Sequence, residues 1–223
     1  MSAGQATLPA SAAPRGGHGH GGHGHAAGLS EEGEHGTSKR IVVAYGFWIF
    51  LISDIILFAA FFATYAVLTD STAGGPSGRD LFDLRTVAIE TALLLTSSLF
   101  CGLAGLGAQA KNGRLFHGAM AITFLLGAGF LFIELREFAG MIEQGAGPGR
   151  SAFLSAFFAL IGCHGLHVAA GLLWLLTMMA QVLAKGYRDD ILRRILCFNL
   201  FWHTLDIIWV GLFSLVYLVG VAL

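Results

Sequence analysis

Five long apolar stretches, separated by short polar or glycine-rich gaps, set the pattern of this chain. They cover residues 41–68, 86–110, 116–142, 151–183 and 191–223. An α-helix rises about 1.5 Å per residue, so about 20 apolar residues cross the hydrocarbon core of a bilayer. Every stretch meets that length. The fourth exceeds it and is expected to tilt or to extend past the membrane at one end. The gaps carry Gly74-Gly75-Pro76-Ser77-Gly78, Asn112-Gly113 and Gly147-Pro148-Gly149, and they read as turns because Gly and Pro break helices. The pattern predicts an all-α polytopic membrane protein, a five-transmembrane-helix bundle.

Composition supports that class. The chain is 55% hydrophobic and 12% charged, whereas about a quarter of the residues of a soluble domain are charged. A net charge of −1 argues against nucleic acid as a partner. Cys101, Cys163 and Cys197 lie in or beside apolar runs without a CxxC pair, so they read as small fillers at helix contacts. Lys39, Arg40, Lys111, Arg114, Lys185, Arg188, Arg193 and Arg194 fall on one side of the five spans, and Arg79, Arg85 and Arg150 on the other. Cytoplasmic loops carry the excess of Lys and Arg, which places the N-terminus in the cytoplasm and the C-terminus in the periplasm.

Residues 1–40 are rich in Gly, Ala, Ser and His and cannot bury a core, so they read as a disordered cytoplasmic tail. The first apolar run begins too late, at Ile41, for a signal peptide. Within the tail His18, His20, His23 and His25 alternate with glycine, a spacing with incidental affinity for nickel, copper or zinc. Glycine is abundant in the spans too. Gly102, Gly105, Gly107, Gly127 and Gly129 suit close helix approach, in a bundle or against another subunit.

The informative residues are the ionisable ones inside the apolar runs: Asp54, Glu90, Glu134, Glu137, His164, His167, His203 and Asp206. Such groups are costly at membrane depth, so they pair, face protein and mark sites. Glu134 with Glu137, His164 with His167, and His203 with Asp206 share an i, i+3 spacing that puts each pair on roughly one helix face. Convergence of those faces would build a single polar cluster. A carboxylate-bridged di-metal centre needs Glu-x-x-His pairs, which the spans lack. A haem site, with His164 or His167 facing His203, needs a large apolar pocket. A proton or ion pathway, as in a free-standing proton-coupled transporter, usually comes with an internal repeat and interrupted helices. The preferred reading is structural. The groups bond one another, backbone or lipid head groups and lock the bundle, with Arg136 compensating Glu134 and Glu137 locally.

Four segments taken in order resemble subunit III of the haem–copper terminal oxidases. They are Gly46 to Asp54 (GFWIFLISD), Thr72 to Gly78 (TAGGPSG), Ser151 to His167, ending in Gly162-Cys-His-Gly-Leu-His167, and Phe201 to Trp209 (FWHTLDIIW). The similarity covers roughly Val43 to the C-terminus and is closest to the ubiquinol-oxidase branch, which shares the five spans and the Thr-Ala-Gly-Gly-Pro loop. It implies a non-catalytic subunit of a proton-pumping ubiquinol oxidase in the bacterial inner membrane. Haem and copper would lie in the catalytic subunit I, with subunits II and IV as further partners. No cofactor is implied for this chain beyond bound phospholipid. Asp54 falls where the family has its carbodiimide-reactive carboxylate, usually Glu in cytochrome c oxidases. Glu137, His164, His167, His203 and Asp206 match the family's buried polar positions. Subunit III of a bacterial cytochrome c oxidase is the alternative within the family.

Overall fold

The computed structural model describes the backbone of residues 24–76, 78 and 83–222, and the side chains of those from 41 to 220. Its long helices are α1 (Gly24–Leu68), α2 (Leu84–Gln109), α3 (Gly113–Glu143), α4 (Ala152–Lys185) and α5 (Asp189–Leu212). A π-helical stretch, Phe213–Leu218, continues α5 and leads into a last helical turn, Val219–Ala222. Among the described residues, five helical segments are long and apolar enough to cross a membrane: Ile41–Leu68, Leu84–Gln109, Gly113–Glu143, Ala152–Lys185 and Asp189–Leu218. The chain divides at Lys39–Arg40. Helical backbone already covers 24–40, within the tail that was expected to be unstructured. Extending an existing helix by one residue is far easier than starting one, and Ala26, Ala27, Leu29, Glu31 and Glu32 favour helix.

Polar caps set the helix starts. Asp83 accepts a hydrogen bond from the Arg85 amide (3.0 Å) and another from the Thr86 hydroxyl (2.9 Å), ahead of α2. Asn112 caps α3 through the Leu115 amide (3.3 Å), and Ser151 caps α4 through the Leu154 amide (3.1 Å). Each satisfies one of the amides that a helix start leaves without a partner. Gly186, with φ at +69°, stops α4 in a backbone region open to glycine. Asp189 and Asp190 open α5 where the helix dipole favours negative charge.

Helices α2 to α5 pack as a closed ring, α2 against α3, α3 against α4, α4 against α5, and α5 back against α2. The α2–α3 hairpin is the tightest pair, because a Cβ at Gly107 would meet the Phe116 backbone nitrogen at 2.9 Å. Gly127 and Gly171 similarly make room for the Trp202 ring, at 3.0 and 2.9 Å from where their Cβ atoms would lie.

The membrane-length part of α1 packs differently. Leu51, Phe58 and Tyr65 are buried, Phe47, Asp54, Phe61, Phe62 and Leu68 are half-buried, and the positions between them are exposed. That is one seam repeating about every 3.5 residues, the period of a helix held along a single line. The seam meets α4 and the end of α5. Phe47 stands edge-on to Trp174 at 5.9 Å, Tyr65 lies 5.9 Å from Phe153, and the Tyr65 hydroxyl reaches the Val216 carbonyl at 3.5 Å. Ile41, Ile49, Ile52, Ile55, Ile56 and Val67 leave the rest of α1 as bare apolar surface.

Candidate functional site

Helix α2 supplies a polar stripe to the interior of the ring. Glu90, Thr91, Leu94, Ser97, Ser98 and Cys101 follow at steps of three or four with one-residue shifts, and all but Thr91 are buried. The hydroxyls on this stripe were not singled out in the sequence. Their spacing from Glu90 is the signal that marks them, since residues three and four apart share a helix face.

Near the start of α2, Glu90, Glu134 and Glu137 interact electrostatically with one another and with Tyr217. The π-helical stretch, which often marks a functional position, brings Tyr217 into this interior. Both carboxyl oxygens of Glu90 and Oε2 of Glu134 are enclosed without a hydrogen-bond partner among the described residues. Glu134 reaches α4 where the chain has Gly165, whose Cβ would lie 3.0 Å from Glu134 Oε1. The glycine between the two histidines is thus a seat for a carboxyl group. Glu137 is half-buried and interacts with Asp83, so carboxylates line up from the exposed cap inward. Hydrogen bonds from the Thr86 hydroxyl and the Arg85 amide hold Asp83 below the usual carboxylate range. Arg136 does not compensate these groups. Its guanidinium is exposed and lies over the Phe132 ring at 5.8 Å, because a residue two positions after Glu134 points to another side of the helix.

His164 sits at the centre, fully enclosed, with ring centroids of Trp209 at 5.2 Å, Phe130 at 5.9 Å and Phe58 at 6.3 Å. Trp209 donates its indole N–H to Thr91 (3.1 Å), and Trp202 donates to Ser97 (3.1 Å). His164 and His167 do not share surroundings despite their spacing. His167 lies under the α1 seam, 5.3 Å from Phe58, and its Nδ1 donates to the Cys163 carbonyl at 2.7 Å. Asp54 is on the same seam, within electrostatic range of the Cys163 thiol.

The third pair lies on α5. His203 Nδ1 is hydrogen-bonded to Ser98 Oγ at 2.6 Å, and Asp206 bonds the same serine. One turn along, the Cys101 thiol donates to Asn199 Oδ1 at 3.1 Å, so this cysteine is a hydrogen-bonding member of the interior rather than a filler. Asn199 in turn fills the space left by Gly105. Ser98 and His203 line an outward-opening cleft of about 360 Å³ with Leu99, Gly102, Leu103 and Leu106.

The eight residues therefore do not form one cluster. Glu90, Glu134 and Glu137 group together, His203 and Asp206 join Ser98, Asp54 and His167 face the α1 seam, and His164 stands between. Among the described residues, no three His, Cys, Asp or Glu side chains come together as a metal site. His18, His20, His23 and the His25 side chain lie outside the described residues.

A family profile described as Cytochrome c oxidase subunit III matches residues 26–221. The chain is 48% identical over 192 residues to the cytochrome bo(3) ubiquinol oxidase subunit 3 of Pseudomonas aeruginosa, covering 86% of this chain and 92% of that one. It is 52% identical over 176 residues to the protein of that name in Pseudomonas putida, covering 79% and 85%. It is 43% identical over 175 residues to a cytochrome c oxidase subunit 3 of Bacillus sp., covering 78% and 84%. A chain of five membrane-length helices, matched along nearly all of its length beyond residue 25, belongs to the cytochrome c oxidase subunit III family of the haem–copper oxidases.

Proposed function

We propose that this chain is the non-catalytic subunit III of a proton-pumping ubiquinol oxidase in a bacterial inner membrane. It stabilises the catalytic subunit I, which carries the haem and copper, and sits beside subunits II and IV. Its N-terminus is cytoplasmic and its C-terminus periplasmic. The names of the two Pseudomonas relatives support the quinol branch. The structural observation that carries the subunit role is α1, which among the described residues is held along one seam and leaves most of its circumference apolar and uncovered. Continuous helices at Glu90, Glu134 and His164 fit this role better than that of a transporter, whose helices break at the binding site. The buried polar groups hold the bundle together, and the apolar space beside α1 receives phospholipid acyl chains.

Oxygen uptake decides the donor. The complex purified through this chain in mild detergent is given ubiquinol in one assay and reduced cytochrome c in another. Uptake with ubiquinol is the expected result. Uptake with cytochrome c alone moves the chain to the other branch of the family, and transport by the isolated, reconstituted chain overturns the subunit reading.

A further inference from the structure

A cavity of about 10 Å³ lies in the ring between α2, α4 and α5, lined by Leu94, His164, Val168, Trp202, Leu205 and Asp206. That is close to the space needed by one water molecule. Two of its walls are polar. His164 is fully enclosed and neither ring nitrogen has a hydrogen-bond partner among the described residues. Oδ1 of Asp206 is buried and equally without a partner, although the carboxyl group bonds Ser98. Trp202 cannot serve either of them, because its indole N–H is committed to Ser97 at 3.1 Å.

An imidazole offers a donor and an acceptor nitrogen when neutral, and two donors when protonated. A carboxylate oxygen accepts. A water molecule matches both walls, since it donates to Asp206 and either accepts from His164 or donates to it. Cavities that stay dry are lined by apolar groups alone. We infer that this cavity holds one ordered water that bridges the ring of His164 to Oδ1 of Asp206. The bridge continues through Asp206 to Ser98, from Ser98 to His203 at 2.6 Å, and so to the outward-opening cleft that Ser98 and His203 line. It is a hydrogen-bonded chain between an enclosed imidazole on α4 and the α2–α5 face. The inference is independent of the electron donor, and it holds for either branch of the family.

The test is a density map of the intact complex at a resolution that shows ordered water. A peak at hydrogen-bonding distance, about 2.7–3.2 Å, from both a ring nitrogen of His164 and Oδ1 of Asp206 is the expected result. In maps of the variants, Asp206→Asn keeps the peak because the amide still bonds water, and Asp206→Leu loses it. A direct bond between His164 and Asp206 overturns the inference. So does an empty cavity in a map where other buried waters are resolved, or a peak unchanged in Asp206→Leu. If Asp206→Leu does not assemble, the maps of the unaltered chain and of Asp206→Asn decide.

Discussion

Asp54 within α1 and Asp83 at the cap of α2 are carboxylates in different surroundings. Asp54 is half-buried on the α1 seam between Leu51 and Phe58, beside the Cys163 thiol. The resemblance implies that it is the carboxylate a hydrophobic carbodiimide would reach. Asp54→Asn is expected to assemble normally and to lose carbodiimide labelling of this chain, which mass spectrometry of the treated complex checks. Persistent labelling at the same level sinks the assignment. Asp83 is exposed, and the hydrogen bonds it accepts from Thr86 and Arg85 lower its pKa from the ordinary carboxylate value of 3.8. A carboxylate with a depressed folded-state pKa stabilises the fold above its unfolded value and loses that contribution as pH falls through the folded one. Asp83→Asn is therefore expected to be less thermostable than the unaltered chain at neutral pH. The difference closes as pH drops below 3.8, and melting of the complex across that window measures it.

Between elements, backbone proximity matters more than hydrophobicity, because lipid is as apolar as a side chain and drives no helix association. Gly107 shows this at the α2–α3 hairpin, where an added Cβ would press on the Phe116 backbone at 2.9 Å, while a Cβ at Gly118 would meet nothing within 4 Å. Gly107→Ala is expected to destabilise by about 1–3 kcal/mol, the usual cost of overpacking. Gly118→Ala is expected to be neutral or slightly stabilising in the same melting assay. Phe58 anchors α1 against His167 at 5.3 Å and His164 at 6.3 Å. Phe58→Ala is expected to loosen α1, by less than the ~3–5 kcal/mol of a soluble core because lipid replaces part of the lost contact. Faster proteolysis of the chain between α1 and α2 in the purified complex reports it. Element positions were largely legible in hydropathy. The starts differed by two or three residues at 84, 113 and 189, where capping and acidic first-turn residues sit beyond the apolar run. Helix pairing was not legible, because the gaps tell which helices are consecutive and not which faces meet.

At the scale of the whole molecule, the ionisable residues could be picked out from the sequence, but their grouping depended on the ring of α2 to α5. His164 and His167 are three residues apart, yet one faces the interior and the other the α1 seam. Ser98, Thr91 and Tyr217 are unremarkable in a sequence, and they acquire roles only because α2 and α5 run side by side. The single seam of α1 also has a consequence in time. Phe58 precedes His167 by 109 residues, which is roughly 5–20 s of synthesis. For that interval α1 has no α4 to lean on, and Asp54 faces lipid at a cost of about 2.5–3.5 kcal/mol. The first span therefore acquires its packing partners only once the fourth has been made.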